Sequence, residues 1–560
     1  MPELFPPALV LLFGALALWL VPGRWRDVAV LGFPAATLAA IWLLPADALI
    51  TIAFLDGEIA PLKMTVLGRL FATIFALMAL VGGLFALRQA STAELSAAFL
   101  YASSAIGVAL AGDLVSMFVF WEVMALGSAL VIWAANTPAA RKAGIRYLLV
   151  HLFGGVVLMI GIEAEIARTG SMAFQAMTLD SVGRWLILIG FLINAAAPPL
   201  AAWLSDAYPE ASPTGTVFLS AFTTKAAVYA LMVGFPGTAL LVPIGLVMVF
   251  YGIIYALLEN DMRRILAYSI VNQVGFMVTG IGIGTPLALN GVAAHAFCHI
   301  IYKALLMMSA GAVLYRTGKR KCTDLGGLFQ SMPVTTICAI IGALAISSFP
   351  LTSGFVSKNM ISEAAGVEAM PLVYFLLAAA SAGVFLHAGI KFPWFVFFQK
   401  DSGMRPKDPP WNMQAAMIVF SAFSIGLGVY ATPLYQLLPY PVDYAPYAPG
   451  KVVFYLQLLL FSGLAFFVML PWMKRTLTIT LDADWFYRRL FARAGDALWL
   501  SLANVYHAAT ARLQQALSGI GGQIDALCRP RGLLTRTWYV STTAVWLAGL
   551  LSFYLFIYFF

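Results

Sequence analysis

The chain has 560 residues, of which 62% are hydrophobic and only 10% are charged. Soluble domains carry about 25% charged residues, so this composition excludes an ordinary soluble protein and indicates an integral membrane protein in a lipid bilayer. The formal net charge of +8 does not predict a nucleic-acid partner, because a binding patch needs a solvated domain to carry it. The four cysteines form no CxxC pair, so no disulfide framework, metal site or redox cofactor is expected.

Apolar stretches long enough to cross a bilayer recur along the whole chain. The first begins near the N-terminus without a basic leading region, so a retained span is expected there, not a cleaved signal. The others lie near residues 28–45, 66–87, 95–111, 114–134, 144–167, 183–205, 213–233, 239–258, 264–284, 287–315, 333–355, 372–399, 413–431, 452–473 and 538–558. The sequence therefore predicts an all-α polytopic membrane protein with about 14–16 transmembrane helices.

Basic residues concentrate in alternate loops, such as those with Arg141 and Lys142 or with Lys319 and Arg320. By the positive-inside rule these loops are cytoplasmic, and an even number of spans then places both termini outside. The opposite loops are assigned only Lys63, Arg168, Arg184, Lys358 and Lys451.

A different pattern follows the basic pair Lys474 and Arg475. Apolar residues recur every three or four positions from Leu498 to Leu527, with polar residues elsewhere on the helical wheel. This predicts a long amphipathic helix that lies along the cytoplasmic membrane surface and is held by a final span. The alternative is a small soluble helical hairpin, broken by the glycines of residues 519–522.

Four ionisable residues lie inside predicted spans, namely Glu122, Lys225, Lys303 and Lys391. A charged side chain at mid-bilayer costs about 2.5–3.5 kcal/mol on insertion scales, so each is a candidate functional residue. His295, His299 and Lys303 recur every four residues, which places them on one helix face, and His387 and Lys391 repeat the spacing. A column of groups that hold and release protons predicts a proton relay. Metal binding is the weaker alternative, because no carboxylate or third histidine lies on the same helix.

Helix-breaking residues lie close to these ionisable positions. Pro198 and Pro199 interrupt one span, while Gly389 and Pro393 flank Lys391. Breaks at membrane depth are tolerated only where protein or water satisfies the freed backbone groups, and in transporters they mark the binding region. A proline kink that serves packing alone is the alternative.

Several long motifs occur in an order that resembles a known family. They are FVFWEVMALGSALVI, WLSDAYPEASPTGTVFLSAFTTKAAVYAL, NDMRRILAYSIVNQVGFM, HAFCHIIYKALLMMSAGAV, FPLTSGFVSKNMI and FLHAGIKFPWFVFF, and together they cover roughly residues 95–400. The sequence resembles the antiporter-like subunits shared by respiratory complex I, membrane-bound hydrogenases and Mrp sodium/proton antiporters. Among these it most resembles the D subunit of the Mrp antiporters.

The resemblance implies two inverted five-helix repeats, each forming half of a proton channel, joined by buried polar groups. It assigns the proton path to Glu122, Lys225, His295, His299, Lys303 and Lys391. The family lysine expected on the first broken helix is replaced by Asn194, which cannot titrate. The accessory candidates are Asn194, His151, His387 and Asp113.

These patterns divide the chain into five predicted regions. They are N-terminal spans (1–94), an antiporter-like core (95–400), C-terminal spans (401–475), an amphipathic helix similar to the lateral helix of complex I (476–536) and a final anchor (537–560). The expected function is proton translocation within a multisubunit complex of a bacterial-type plasma membrane, driven by cation exchange or by a redox module. No cofactor is expected, and the partners expected are other membrane subunits.

Two other function classes stay open. A self-sufficient cation/proton carrier would transport as the purified chain alone. A polytopic membrane enzyme would need interfacial catalytic groups, for which the carboxylates available are Asp206, Glu210 and Asp261.

Overall fold

The computed structural model describes residues 5–54, 57–472, 482–530, 532–535 and 537–559. It divides into two compact units, Met1–Asp484 and Trp485–Phe560. The predicted basic pair Lys474 and Arg475 lies outside the described residues.

In the described residues the first half of the larger unit contains ten α-helices, one short 3-10 helix (Tyr208–Glu210) and one antiparallel hairpin of two strands, β1 (Leu49–Phe54) and β2 (Gly57–Lys63). The helices are α1 (Pro7–Ala17), α2 (Arg24–Leu43), α3 (Val66–Ala86), α4 (Thr92–Leu110), α5 (Leu114–Trp133), α6 (Pro138–Thr169), α7 (Val182–Asn194), α8 (Ala202–Ala207), α9 (Gly215–Leu219) and α10 (Thr223–Gly234).

The second half of this unit is also helical. Its helices are α11 (Leu241–Leu258), α12 (Met262–Ile283), α13 (Pro286–Thr317), α14 (Pro333–Ile346), α15 (Ser353–Val367), α16 (Pro371–Val384), α17 (Trp411–Val429), α18 (Thr432–Tyr435) and α19 (Pro449–Met469). The helix α16 continues through two π-helical turns, Phe385–Lys391 and Trp394–Phe398.

Thirteen helical segments in the described part of the chain are long and apolar enough to cross a membrane. Three shorter apolar helices, α1, α7 and α14, accompany them. Each predicted apolar stretch overlaps one of these sixteen segments, which confirms the all-α polytopic class. Outward-facing residues of α6 such as Leu149, Phe153, Val156 and Ile160 are exposed and apolar, as expected of a surface that contacts lipid.

Two pairs of helices repeat the same features 148 residues apart. Both α5 and α12 begin after an aspartate whose carboxylate accepts a backbone N–H of the first turn, Asp113 and Asp261 respectively. The next helices, α6 and α13, each contain 32 residues, begin after Thr137 and Thr285, and end at a left-handed glycine. Equivalent positions in these pairs therefore differ by 148.

The two repeats run in opposite directions. In the first repeat Arg141 and Lys142, which the sequence placed in a cytoplasmic loop, lie in the first turns of α6, so α6 begins on that side. In the second repeat the basic loop with Arg320 pairs with the start of α12, where Met262 N donates to Arg320 O at 2.9 Å. Because basic residues mark one side of the membrane, the repeats are inverted, as the family resemblance implies.

Each repeat also contains a broken helix with the same backbone geometry. After α7, Ala196 adopts a left-handed φ of 61°, and after α14, Ser348 has a φ of 58°. The following amides, of Ala197 and Phe349, each donate to a carbonyl five residues back at 3.0 Å. Prolines follow at both breaks. The interruption predicted at Pro198 and Pro199 is therefore confirmed, and an equivalent one occurs 152 residues later.

The second break corrects one assignment. The sequence placed Lys358 in an outer loop, whereas it lies in α15 with its side chain fully buried. The apolar stretch 333–355 ends in the break, and the chain then re-enters the protein as a helix of small and polar residues that hydropathy does not detect. The break predicted around Lys391 takes the form of π-helical turns, which keep the chain helical.

The smaller unit contains two helices, α20 (Phe491–Cys528) and α21 (Val540–Phe559), after a π-helical turn at Phe486–Leu490. The helix α20 runs without interruption through Gly519, so the predicted long helix is confirmed and the alternative hairpin is wrong. Its 38 residues extend over about 57 Å.

The capping aspartates provide a test of this fold. Asp113 Oδ1 accepts from Ser116 N at 2.8 Å, and Oδ2 accepts from Ala60 N at 2.7 Å, which ties α5 to β2. We expect Asp113→Ala to lower the free energy of unfolding by about 1–2 kcal/mol, because one buried and one partly buried amide lose their acceptor. Thermal unfolding of the detergent-solubilised chain measures this. Asp443→Ala, at an exposed loop position, is the control, and equal unfolding temperatures would contradict the prediction.

Candidate functional site

The predicted column on α13 is present and wholly buried. The ring centroids of His295 and His299 are 6.1 Å apart, and Lys303 follows on the same face. His295 Nε2 lies 3.1 Å from Gln273 Oε1 on α12, whereas both ring nitrogens of His299 lack a hydrogen-bond partner within the described residues. A buried imidazole with free nitrogens is available to exchange protons with its neighbours.

Two buried lysines lie within electrostatic reach of this column. Lys225 on α10 interacts with both His299 and Lys303. Its Nζ donates to Ser220 O at 2.7 Å, in the short gap between α9 and α10. Lys303 Nζ donates to Ser269 Oγ at 2.9 Å. A proton on one amine therefore affects the energy of a proton on the other.

The column continues to the π-helical segment of α16. His387, which lies one helical turn before Lys391, is within electrostatic reach of both Lys303 and Lys391. Lys391 Nζ donates to three carbonyl oxygens at the C-terminal end of α11, those of Ala256 (3.1 Å), Leu257 (2.5 Å) and Glu259 (2.6 Å). The carbonyl end of a helix carries partial negative charge, so this position accommodates a cation.

Lys358 is a member of the site that the sequence analysis missed. Its Nζ donates to Ile346 O at 3.3 Å, at the C-terminal end of α14, and lies 5.0 Å from the ring centroid of Phe276. It also interacts electrostatically with His295 and His387. The signal was present in the motif FPLTSGFVSKNMI, where the lysine follows the helix-breaking Pro350 by eight residues.

Glu122 lies apart from the lysines, between α5 and α6. Its carboxylate is packed so closely against Gly155 that a Cβ at that position would collide with it. The side chain is half-buried, and its Oε1 is buried with no hydrogen-bond partner in the part of the chain that the structure describes. The absence of a side chain at Gly155 therefore provides the space that the Glu122 carboxylate occupies.

At the first helix break, Asn194 contacts His151. Asn194 is the last residue of α7, and its Oδ1 lies 2.9 Å from His151 Nδ1 on α6. Small residues such as Gly154, against Ile193, allow α6 and α7 to approach closely enough for this contact. The His151 ring also packs on Tyr147 at 4.1 Å and on Trp203 at 4.6 Å between centroids.

A cluster of buried hydroxyl groups connects this break to Lys225. Tyr147 OH donates to Ser128 Oγ at 2.9 Å and lies 3.3 Å from Thr223 Oγ1, which in turn lies 2.6 Å from Tyr101 OH. The neighbouring Thr224 accepts from Lys225 Nζ at 3.1 Å. Sequence reasoning missed this cluster because its members are far apart in the chain and each is an ordinary core residue alone.

The remaining candidates serve structural roles at helix ends. Both oxygens of Asp113 accept backbone amides, so the structure places it outside the column. The carboxylates considered for an enzyme are ion-paired, Asp206 with Arg146 at 2.7 Å, and both Glu210 and Asp261 with Arg320 at 3.0 and 2.9 Å. In the described residues no three His, Cys, Asp or Glu side chains are grouped to hold a metal ion.

The family comparison agrees with this geometry. The family described as NADH:quinone oxidoreductase/Mrp antiporter, TM matches residues 111–386, which contain α5–α16 and the two broken helices. The D subunit of the Na(+)/H(+) antiporter of Alkalihalophilus pseudofirmus is 28% identical over 418 residues, which is 69% of this chain and 84% of that protein. Residues 111–386 of the chain thus match this family of antiporter-like membrane subunits.

Two solved structures share the fold of this antiporter-like subunit. A chain of the Mrp complex from Dietzia sp. DQ12-45-1b superposes with a TM-score of 0.70 at 21% identity, covering 81% of this chain and 100% of that chain. A chain of the membrane-bound sulfane sulfur reductase, an archaeal respiratory membrane complex, superposes with a TM-score of 0.72 at 24% identity, covering 97% and 99%. Both are chains of membrane complexes. The match with this chain covers 63% of the length of one further relative and 39% of the length of another, so it does not account for their whole length.

The close approach of Glu122 and Gly155 gives a test of the first repeat. We expect Gly155→Ala to displace the Glu122 carboxylate and to lower proton flux by about tenfold or more, because proton transfer depends on group positions. Flux is measured by a pH-sensitive dye in membrane vesicles that contain the whole complex. Gly426→Ala, on α17 with no atom within 4 Å of the added carbon, is the matched control. Wild-type flux in Gly155→Ala would show that the position of Glu122 is not critical.

Proposed function

We propose that this chain translocates protons as the antiporter-like subunit of a multisubunit membrane complex. The observation that supports it is the series of buried groups Lys225, His299, Lys303, His387 and Lys391, each within electrostatic reach of the next. Such a series provides successive protonation sites across an apolar protein interior. Within the described residues none of these three lysines is ion-paired to a carboxylate, so their charge is free to change.

The mechanism follows from electrostatic coupling between sites. Two unit charges about 8 Å apart at an effective dielectric of about 20 interact by roughly 2 kcal/mol. A proton that reaches Lys303 therefore favours release from Lys225 on one side and from Lys391 on the other. Lys391 lies against the loop that joins α11 and α12, which the charge pattern places on the cytoplasmic side, so it is the proposed cytoplasmic end of the path.

Protons are proposed as the ion carried, in preference to sodium. Sodium ligation in a membrane favours several hard oxygen ligands, whereas the buried column presents amines and imidazoles. Glu122 is separate from the column and is proposed to modulate Lys225 through its charge. Whether exchange of a cation or a redox module drives the flow is decided by the companion subunits.

The proposed partners are other membrane subunits, with α20 and α21 as docking elements that remain exposed in this chain. The proposed location is a bacterial-type plasma membrane. No role of nucleic acid is proposed.

The function is tested by removing column lysines in the intact complex. We expect Lys303→Ala and Lys391→Ala each to reduce proton flux in vesicles to less than about a tenth of the wild-type rate, because each removes one protonatable amine from the series. The vesicles are energised in parallel with Na⁺, with K⁺ and with an electron donor. Lys407→Ala, in an exposed loop, is the matched control. Full flux in Lys391→Ala would overturn the proposal.

The self-sufficient carrier is distinguished by purification. The tagged chain, extracted gently from native membranes, is expected to bring other membrane subunits with it, identified by mass spectrometry. Small antiporter subunits would indicate cation exchange, and quinone, flavin or nickel–iron subunits would indicate a redox drive. If the chain purifies alone and transports protons or cations in liposomes, the subunit proposal is wrong.

A further inference from the structure

At the break itself the first repeat has no titratable residue, because Asn194 occupies the end of α7. The residue bonded to Asn194 is His151, fully buried on the neighbouring helix α6. We propose that His151 is the protonatable group of the first half-channel and that Asn194 orients it. This inference rests on the proposed function and names a proton carrier between Glu122 and Lys225.

The hydrogen bonds define which nitrogen is available. An amide oxygen only accepts, so His151 Nδ1 carries the hydrogen in its 2.9 Å contact with Asn194 Oδ1. His151 Nε2 then presents its lone pair, and it is buried without a hydrogen-bond partner among the residues described. An arriving proton forms an N–H bond at Nε2 and gives an imidazolium that keeps its bond to Asn194. Cleavage of the new N–H bond returns the neutral ring to its starting tautomer.

The inverted repeat supports the assignment independently. His151 lies 14 residues after the cap of α6, Thr137, and His299 lies 14 residues after the cap of α13, Thr285. The two histidines therefore occupy equivalent positions in equivalent helices. His299 belongs to the buried column of the second repeat, and its Nε2 is unpartnered in the described part of the chain, as is that of His151.

The surroundings of His151 place it between Glu122 and the hydroxyl cluster that leads to Lys225. Gly155 follows one turn later on the same face of α6, so Glu122 packs against the turn next to His151. On the other side, Tyr147 contacts His151 and shares the hydroxyl cluster with Thr223, next to Thr224, which accepts from Lys225 Nζ.

The charged pair on neighbouring turns, Asp206 on α8 and Arg146 on α6, is an ion pair with a 2.7 Å separation. Among the described residues the His151 ring also contacts Trp203 and Asn194, which are neutral. His151 is thus the imidazole that the packing places between the Glu122 carboxylate and the hydroxyl cluster next to Lys225.

The test separates proton transfer from packing. The variant His151→Gln keeps a side-chain amide that can donate to Asn194 but cannot titrate, and we expect it to lower proton flux by about tenfold or more in vesicles with the whole complex. Asn194→Lys in the His151→Gln background restores a titratable group at the end of α7 and is expected to recover at least about half of the wild-type flux. Asn194→Gln in that background, which restores none, is expected to recover nothing.

His507→Gln, at an exposed position on α20, is the control for loss of a histidine. Wild-type flux in His151→Gln, together with lost flux in Lys391→Ala, would overturn this proposal while the proposed function stands. Failure of Asn194→Lys to rescue would also overturn it, since a packing role would then explain the loss. Full flux in both His151→Gln and Lys391→Ala would overturn the proposed function itself.

Discussion

The structure depends on one interaction, the contact of a buried amine with carbonyl oxygens at the end of a helix. Lys225 Nζ bonds to Ser220 O between α9 and α10, Lys358 Nζ bonds to Ile346 O at the end of α14, and Lys391 Nζ bonds to three carbonyls at the end of α11. The last carbonyls of a helix have no intrahelical donor and carry partial negative charge. They stabilise a cation without a full counter-charge, so the amine can still lose its proton.

This interaction explains why the helices are broken where they are. A continuous helix uses its carbonyls internally, whereas the gaps after α7, α9 and α14 free carbonyls at membrane depth. Such carbonyls need donors, and the buried side chains supply them. At the break after α7 the donor is Trp203, whose Nε1 donates to Ile193 O at 3.0 Å, while His151 bonds to the Asn194 side chain. At the break after α14 the freed backbone is therefore satisfied by a lysine, and at the break after α7 it is satisfied by an indole.

The sequence predicted the spans, the long C-terminal helix and the column on α13, because hydropathy and the spacing of four residues are local signals. It placed Lys358 in a loop, since α15 is short and polar and does not resemble a span. It also missed the hydroxyl cluster of Tyr101, Tyr147 and Thr223. The chain separations across that cluster are 122 and 76 residues, so only the packing of α4, α6 and α10 reveals it.

The two repeats have the same backbone arrangement but carry their ionisable side chains on different helices. Lys303 on α13 corresponds to Gly155 on α6, and Glu122 on α5 corresponds to the buried, apolar Ile270 on α12. The ionisable group at this level of the helix pair is therefore supplied by α5 in the first repeat and by α13 in the second. A carboxylate and an amine at equivalent places respond oppositely to a passing proton, because one becomes neutral and the other becomes charged. Opposite charges in the two repeats thus make the two halves of the path chemically unequal.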